Sequence, residues 1–152
     1  MAAIWKPNVT VAALVERDGR FLLVEEETDD GVRLNQPAGH LDEGESLVAA
    51  CAREALEETA WHFQPRQLLG IYQWTRPQGD VTYLRFAFAG DLGEHEAQRP
   101  LDRGILRALW LTPAEIAASQ SRHRSPLVLQ CVEDWLSGRR YPLELMRHYG
   151  HD

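Results

Sequence analysis

An α/β architecture of the α+β kind, a mixed β-sheet with helices packed on it, is the fold class this sequence predicts. Three observations carry it. Short β-branched apolar runs are separated by turn signals, one long stretch free of Gly and Pro interrupts them, and two punctuated helical segments close the chain. Strands, helix, strands, helices is not the order of a regular βαβ repeat. The 152 residues fit one domain spanning 1–152, and no repeat, low-complexity tract or linker divides them.

The elements follow in order. Val9 to Val15 and Arg20 to Glu26 read as strands, joined across Arg17-Asp18-Gly19 as a hairpin, and Asp29-Asp30-Gly31 marks a second turn. A polar, Gly-containing stretch to Glu45 carries no element signal. Ser46 to Thr59 reads as a helix with Ser46 as its N-cap. Leu68 to Trp74 and Val81 to Ala89 are strands joined across Pro77-Gln78-Gly79-Asp80. In the second, Leu84, Phe86 and Phe88 alternate with Tyr83, Arg85 and Ala87, the pattern of a strand with one face in the core. Leu106 to Leu111 is a further strand. Thr112-Pro113-Ala114-Glu115 has capping-box spacing with Pro at the first helical position. Ser125-Pro126 opens the last helix, Leu127, Val128, Cys131, Val132, Trp135 and Leu136 form its buried stripe, and Gly138 ends it. Cys131 and Cys51 therefore read as packing residues, and a pair of cysteines makes no disulfide framework.

Composition excludes several function classes. The chain is 44% hydrophobic and 26% charged, ordinary for a globular protein, and has no apolar run long enough to span a membrane. Met1 to Asn8 lack the basic start and apolar core of a secretory signal, so a cytoplasmic protein is expected. The net charge of −7 disfavours a nucleic-acid polymer or an anionic membrane as partner. That charge is concentrated: between Gly39 and Trp61, Asp42, Glu43, Glu45, Glu54, Glu57 and Glu58 face Arg53 alone.

Glu54, Glu57 and Glu58 fall on one helix face, with Val48, Ala52, Ala55 and Leu56 on the other side, available to pack on the sheet while the acids point away. Carboxylates about 5 Å apart repel by roughly 3 kcal/mol per pair at an effective dielectric of about 20. Arg53, one turn before Glu57, can neutralise one acid. A hard divalent cation such as Mg²⁺, which takes oxygen ligands and shares them with substrate phosphates, is the natural partner for the rest. By itself such a triple is a solvated acidic face.

The surrounding pattern is more specific. Gly39, five residues, Glu45, seven residues, then Arg53-Glu54-x-x-Glu57-Glu58 resembles the signature box of the Nudix hydrolase family. Asn35-Gln36-Pro37-Ala38-Gly39-His40-Leu41, Arg124-Ser125-Pro126-Leu127 and Arg140-Tyr141-Pro142-Leu143-Glu144 are similar to its NudJ-type phosphatases, over nearly the whole chain. The chain departs from the box at Ala60, where the family has Gly, and at its aliphatic positions, here Ala55 and Trp61. It departs from the subgroup at Leu34, which stands in place of Trp. A left-handed non-Gly residue at the helix end costs about 1–2 kcal/mol or forces another exit.

The resemblance implies a mixed sheet sandwiched between helices and a reaction in which water attacks phosphorus with Mg²⁺, or Mn²⁺ as substitute, bridging enzyme and phosphate. The implied ligands are Glu54, Glu57 and Glu58 with the carbonyl of Gly39. Glu54 is assigned to metal or to orienting the water, Arg53 and Glu57 also belong to the catalytic set, and Glu45 pairs with Arg53 to support the site. His40, Trp74, Tyr83 and Arg85 are candidate substrate contacts, by stacking on a base or gripping phosphate. Glu25, Glu26 and Glu27 read as a solvated strand end, and Asp102, Glu94 and Glu96 as exposed loop acids. His148 and His151 fall in a frayed tail. The implied substrates are small molecules: nucleoside tri- and diphosphates, with the pyrophosphate of a thiamine pyrimidine precursor as a further candidate. The alternatives are a pyrophosphatase for nucleotide sugars or dinucleoside polyphosphates, and a module that senses a nucleotide without cleaving it.

Overall fold

The apolar run starting at Val9 becomes β1 (Asn8–Leu14), in which Val11 to Leu14 are all buried, so this strand is covered on both faces. The structure, a computed structural model, describes residues 2–150; His151 lies outside the described residues, as do Met1 and Asp152. The expected turn forms, with Asp18 and Gly19 at positive φ of 54° and 77°, but the hairpin it closes joins the short β2 (Glu16–Arg17) to β3 (Arg20–Thr28); β1 does not pair with β3 and lies in the other sheet. The stretch that carries no element signal contains β4 (Gly31–Asn35) and β5 (Ala38–His40). Then come α1 (Leu47–Thr59), β6 (Trp61–Thr75), β7 (Thr82–His95), β8 (Ile105–Leu111), α2 (Pro113–Ala118), α3 (Leu127–Leu136) and β9 (Tyr141–Pro142).

One sheet has the order β5-β1-β7-β6-β9, with β1 and β7 parallel and the other pairs antiparallel. The second sheet is built on β3, which pairs with β2, β4 and β8. Alternate residues serve two cores. Val11, Ala13, Leu22 and Phe88 pack with Ala50, Cys51 and Ala55 of α1, while Ala12, Leu14, Phe21, Leu23 and Ala87 pack with Ile116 of α2 and with Val128, Cys131 and Val132 of α3. The result is the expected mixed sheet between helices. Among the described residues, no helix is long and apolar enough to cross a membrane.

Helix punctuation follows the sequence closely. The Ser46 side chain accepts from the Ala49 N–H, Thr112 and Glu115 form the reciprocal capping box, and Ser125 Oγ accepts from the Leu127 N–H. Ala60 itself takes the left-handed exit, at φ 64° and ψ 11°, and donates its N–H to the Leu56 carbonyl. Both cysteines are free and buried.

Other expectations need correction as well, among them Leu136, which is exposed and does not join the buried stripe of α3. β6 and β7 run well beyond 68–74 and 81–89; the early half of β6 is polar and contains Pro65, which hides it. The chain tolerates Pro65 at a register shift opposite Gly90, where a Cβ would lie 2.0 Å from the Gln64 carbonyl oxygen. The face of β7 bearing Arg85 and Ala87 is not solvated, because α3 covers it. The acids of α1 do not point away from the sheet: the buried stripe is Ala50, Cys51, Glu54, Ala55 and Glu58, so two of the three glutamates lie within it.

Candidate active site

Gly39 decides how close α1 can come to the sheet. It sits on the edge strand β5 opposite Val11, and a Cβ there would lie 2.1 Å from the Glu54 carboxyl carbon. No side chain fits, so the carboxylate rests directly on the β5 backbone. One turn further on, Glu58 Oε1 accepts the Ala38 N–H at 2.9 Å. Glu54 and Glu58 are 8% and 7% exposed, and both line a cleft of about 1130 Å³ between the two sheets and α3.

Arg53 is the hub of the surrounding loop. Its Nε donates to Glu45 Oε2 at 3.0 Å, Nη1 to Glu54 Oε1 at 2.8 Å and Glu57 Oε2 at 3.2 Å, and Nη2 to Glu45 Oε1 at 2.7 Å and the His40 carbonyl at 3.0 Å. Each of the five guanidinium hydrogens thus has an oxygen. Asp42 adds a contact at 3.3 Å, and its backbone N–H donates to Glu45 Oε1. The expected Glu45–Arg53 pair is therefore present, and it ties the loop before α1 to the helix. Its electrostatic signature runs both ways: hydrogen bonding to Arg53 lowers the pKa of Glu45, and Glu45 in turn raises that of Arg53.

One arginine does not neutralise this set. Burial pushes the Glu58 carboxyl up to about 8, with Glu54, Glu26 and Asp102 adding to the effect and the Ala38 N–H opposing it. Burial likewise raises Glu54, against the pull of Arg53, and Glu57 and Asp102 add to the rise. Buried Glu58 with no cation beside it among the described residues, Glu54 sharing Arg53 with Glu45 and Glu57, an all-oxygen donor set and a backbone cradle stripped of its Cβ suit a hard divalent ion. Glu57 is held by Arg53 and does not line the cleft. Accordingly, no three acidic, His or Cys side chains among the described residues converge into a ready-made ligand group. An ion binding here competes with Arg53 for Glu54 and Glu57.

The other candidates separate clearly. His40, Trp74, Tyr83 and Arg85 all line the cleft. Trp74 and Tyr83 stack on each other, with centroids 6.0 Å apart and planes 15° from parallel. Glu26 and Asp102, which read as solvated acids, line the cleft too. Glu26 Oε1 accepts from Arg124 Nη1 at 2.9 Å, and Glu25 is bound by Arg107 and Arg122. The Asp102 N–H donates to the Glu57 carbonyl at 2.8 Å, which pins its loop to α1. Glu96 instead pairs with His62 and Arg99, and Glu94 is exposed; neither reaches the cleft. Asp102 and Glu26 come from β-strand and loop positions far from the box in sequence, and no spacing could single them out. Cys51, wholly buried with its thiol pKa pushed up by desolvation, is no nucleophile.

Comparison with known proteins identifies the family and the fold. The family profile of the NUDIX domain matches residues 5–130. The chain is 42% identical over 143 residues to Phosphatase NudJ of Escherichia coli (strain K12), covering 94% of this chain and 92% of that protein. A solved NUDIX hydrolase from Nitrosomonas europaea superposes with a TM-score of 0.92 at 52% identity, over 95% of this chain and 98% of its own. The MutT NUDIX hydrolase from Burkholderia pseudomallei, at 17% identity and a TM-score of 0.73 over 86% of this chain and 98% of its own, shares the fold.

Proposed function

This chain belongs to the Nudix hydrolase family, enzymes that cleave phosphoanhydride bonds, and from that premise we propose that it is a divalent-metal-dependent phosphatase of nucleoside tri- and diphosphates or a related small pyrophosphate. The observation that carries the reading is the pair of buried carboxylates, Glu54 and Glu58, set under the bare backbone of Gly39 at one end of a cleft whose floor bears a cation. Likeness over nearly its whole length to Phosphatase NudJ supports phosphatase chemistry.

Glu54, Glu57, Glu58 and the Gly39 carbonyl would hold Mg²⁺, with Mn²⁺ as substitute. When bound, the ion polarises phosphoryl oxygens and makes a coordinated water more acidic. The protein's part is to hold the carboxylates in place. Arg53 fixes Glu54 and Glu57, Glu45 fixes Arg53, and the Ala38 N–H fixes Glu58. At about 1130 Å³ the cleft is larger than a mononucleotide needs, which favours nucleotide sugars or dinucleoside polyphosphates as a second reading.

The test is a phosphate-release screen over nucleoside tri- and diphosphates, nucleotide sugars and the thiamine pyrimidine pyrophosphate, with products identified, in Mg²⁺ and in EDTA. Orthophosphate release that needs the metal is expected. Turnover in EDTA refutes the metal dependence, and turnover of none of these compounds in Mg²⁺ leaves a sensing module in place of an enzyme.

A further inference from the structure

Arg85 is a buried cation without a counter-ion. It is 6% exposed, near the start of β7, yet among the described residues no carboxylate lies within salt-bridge distance of its guanidinium. Its partners are neutral. Nη1 donates to Gln36 Oε1 at 3.0 Å, Nη2 to Asn35 Oδ1 at 2.9 Å, and the Cys131 sulfur lies 3.9 Å from Nη1. Gln36 is 1% exposed and is oriented by its own Nε2, which donates to the Val128 carbonyl at 2.8 Å, so its oxygen is committed to Arg85. The buried carboxylate of Asp134 is already taken by Tyr72 at 2.6 Å, Gln130 at 2.9 Å and Arg139 at 3.8 Å. A buried charge is costly unless it is paired, and the guanidinium keeps N–H groups with no acceptor among the described residues. It is nonetheless part of the cleft lining.

Register places this cation between the β5 edge, where the carboxylates pack, and the Trp74–Tyr83 pair. Arg85 lies beside Thr10, and Thr10 beside His40, in one row that ends at the strand carrying Gly39. At about 4.8 Å per strand, the β5 edge is roughly 10 Å from Arg85. Tyr83 is two residues back on the same face of β7, about 7 Å away, opposite Trp74. Glu54 meets Gly39 from the α1 face and Arg85 lies on the α3 face, and the cleft takes in both around the β5 edge, so its lining runs from the carboxylates at that edge to the guanidinium and then to the aromatic pair.

We propose that Arg85 is the receptor for the phosphate that is retained on the organic group of the substrate, between the hydrolysed terminal phosphate at the glutamates and an aromatic ring at Trp74 and Tyr83. A tetrahedral anion supplies the planar fork with the bidentate partner that the protein withholds. This assignment rests on the proposed phosphatase reading and adds to it the element that separates phosphorylated from uncharged ligands.

The test is calorimetric titration of AMP and of adenosine into the full chain at low ionic strength, in EDTA and again in Mg²⁺, with R85M and R85K beside the wild type. Charge-assisted hydrogen bonds of this kind are expected to make the AMP-to-adenosine affinity ratio fall by about ten- to a hundredfold in R85M. R85K, a point charge without the fork, retains part of the ratio and serves as the variant if R85M does not fold. A wild type that binds AMP no better than adenosine in either condition overturns the proposal, as do variants that keep the wild-type ratio; Arg85 is then only a tether for Asn35 and Gln36. An AMP preference that depends on Arg85 in a protein that releases no phosphate supports the receptor and strikes the hydrolytic reading instead.

Discussion

Replacing Gly39 with alanine puts a methyl group where the Glu54 carboxylate sits. The new Cβ would be 2.1 Å from the carboxyl carbon and 2.3 and 2.4 Å from its oxygens. Ordinary contact begins at about 3.5 Å, so something must retreat by more than about 1 Å. β5 is held by its ladder to β1, and α1 by Ala50, Cys51 and Ala55 in the core, so the flexible carboxylate moves and its 2.8 Å bond from Arg53 is lost. Misplacing a catalytic group by about 1 Å costs roughly a hundredfold in rate. Overpacking adds about 1–3 kcal/mol of destabilisation. The assays are metal-dependent phosphate release and thermal unfolding of G39A, with E54A and G39A/E54A beside it. In the E54A background the methyl has room, and the stability penalty should largely vanish. G39A with wild-type turnover and melting temperature, or an equal penalty in both backgrounds, refutes the packing analysis.

Three further outcomes follow from the same geometry. R53K offers three donors where five oxygens are held, and should lower turnover by at least about tenfold while the helix remains, which circular dichroism checks. A60G relieves a left-handed alanine at φ 64° and should stabilise by about 1 kcal/mol, raising the melting temperature by roughly 2–4 °C; a lower value counts against strain there. Glu25 is held below the ordinary carboxylate range by its hydrogen bond from Arg107 and by Arg122. Its stabilising effect is therefore complete above the unfolded carboxyl value of about 4.3 and is lost as pH falls through the folded value. In urea titrations E25Q should be less stable than wild type at pH 7, and the two should converge as pH falls through the folded value.

Local chemistry was legible wherever one residue decides it. Ser46, Thr112 with Glu115, Asp18-Gly19 and Gly138 act through backbone groups a few residues away, and each is found in the role its type predicts. The box was legible for a similar reason: Glu45, Arg53 and Glu54 interact through helix spacing and one short loop. β4 and β5 were not, because strands of five and three residues draw their stability from partners distant in sequence. The burial of Glu54 and Glu58 was hidden too, since helical periodicity counts acids as the solvent face and cannot show a glycine strand drawn up against them.

The sequence alone determined the family, the acidic segment that holds most of the −7 charge, and the class of chemistry that segment suits. Only the tertiary structure decided how charge is distributed across the cleft. It buried two glutamates, occupied the third with Arg53, drew in Glu26 and Asp102, and left Arg85 surrounded by neutral amides. The physical reason is that the energy of a charge depends on what is packed around it in three dimensions, and composition carries no record of that.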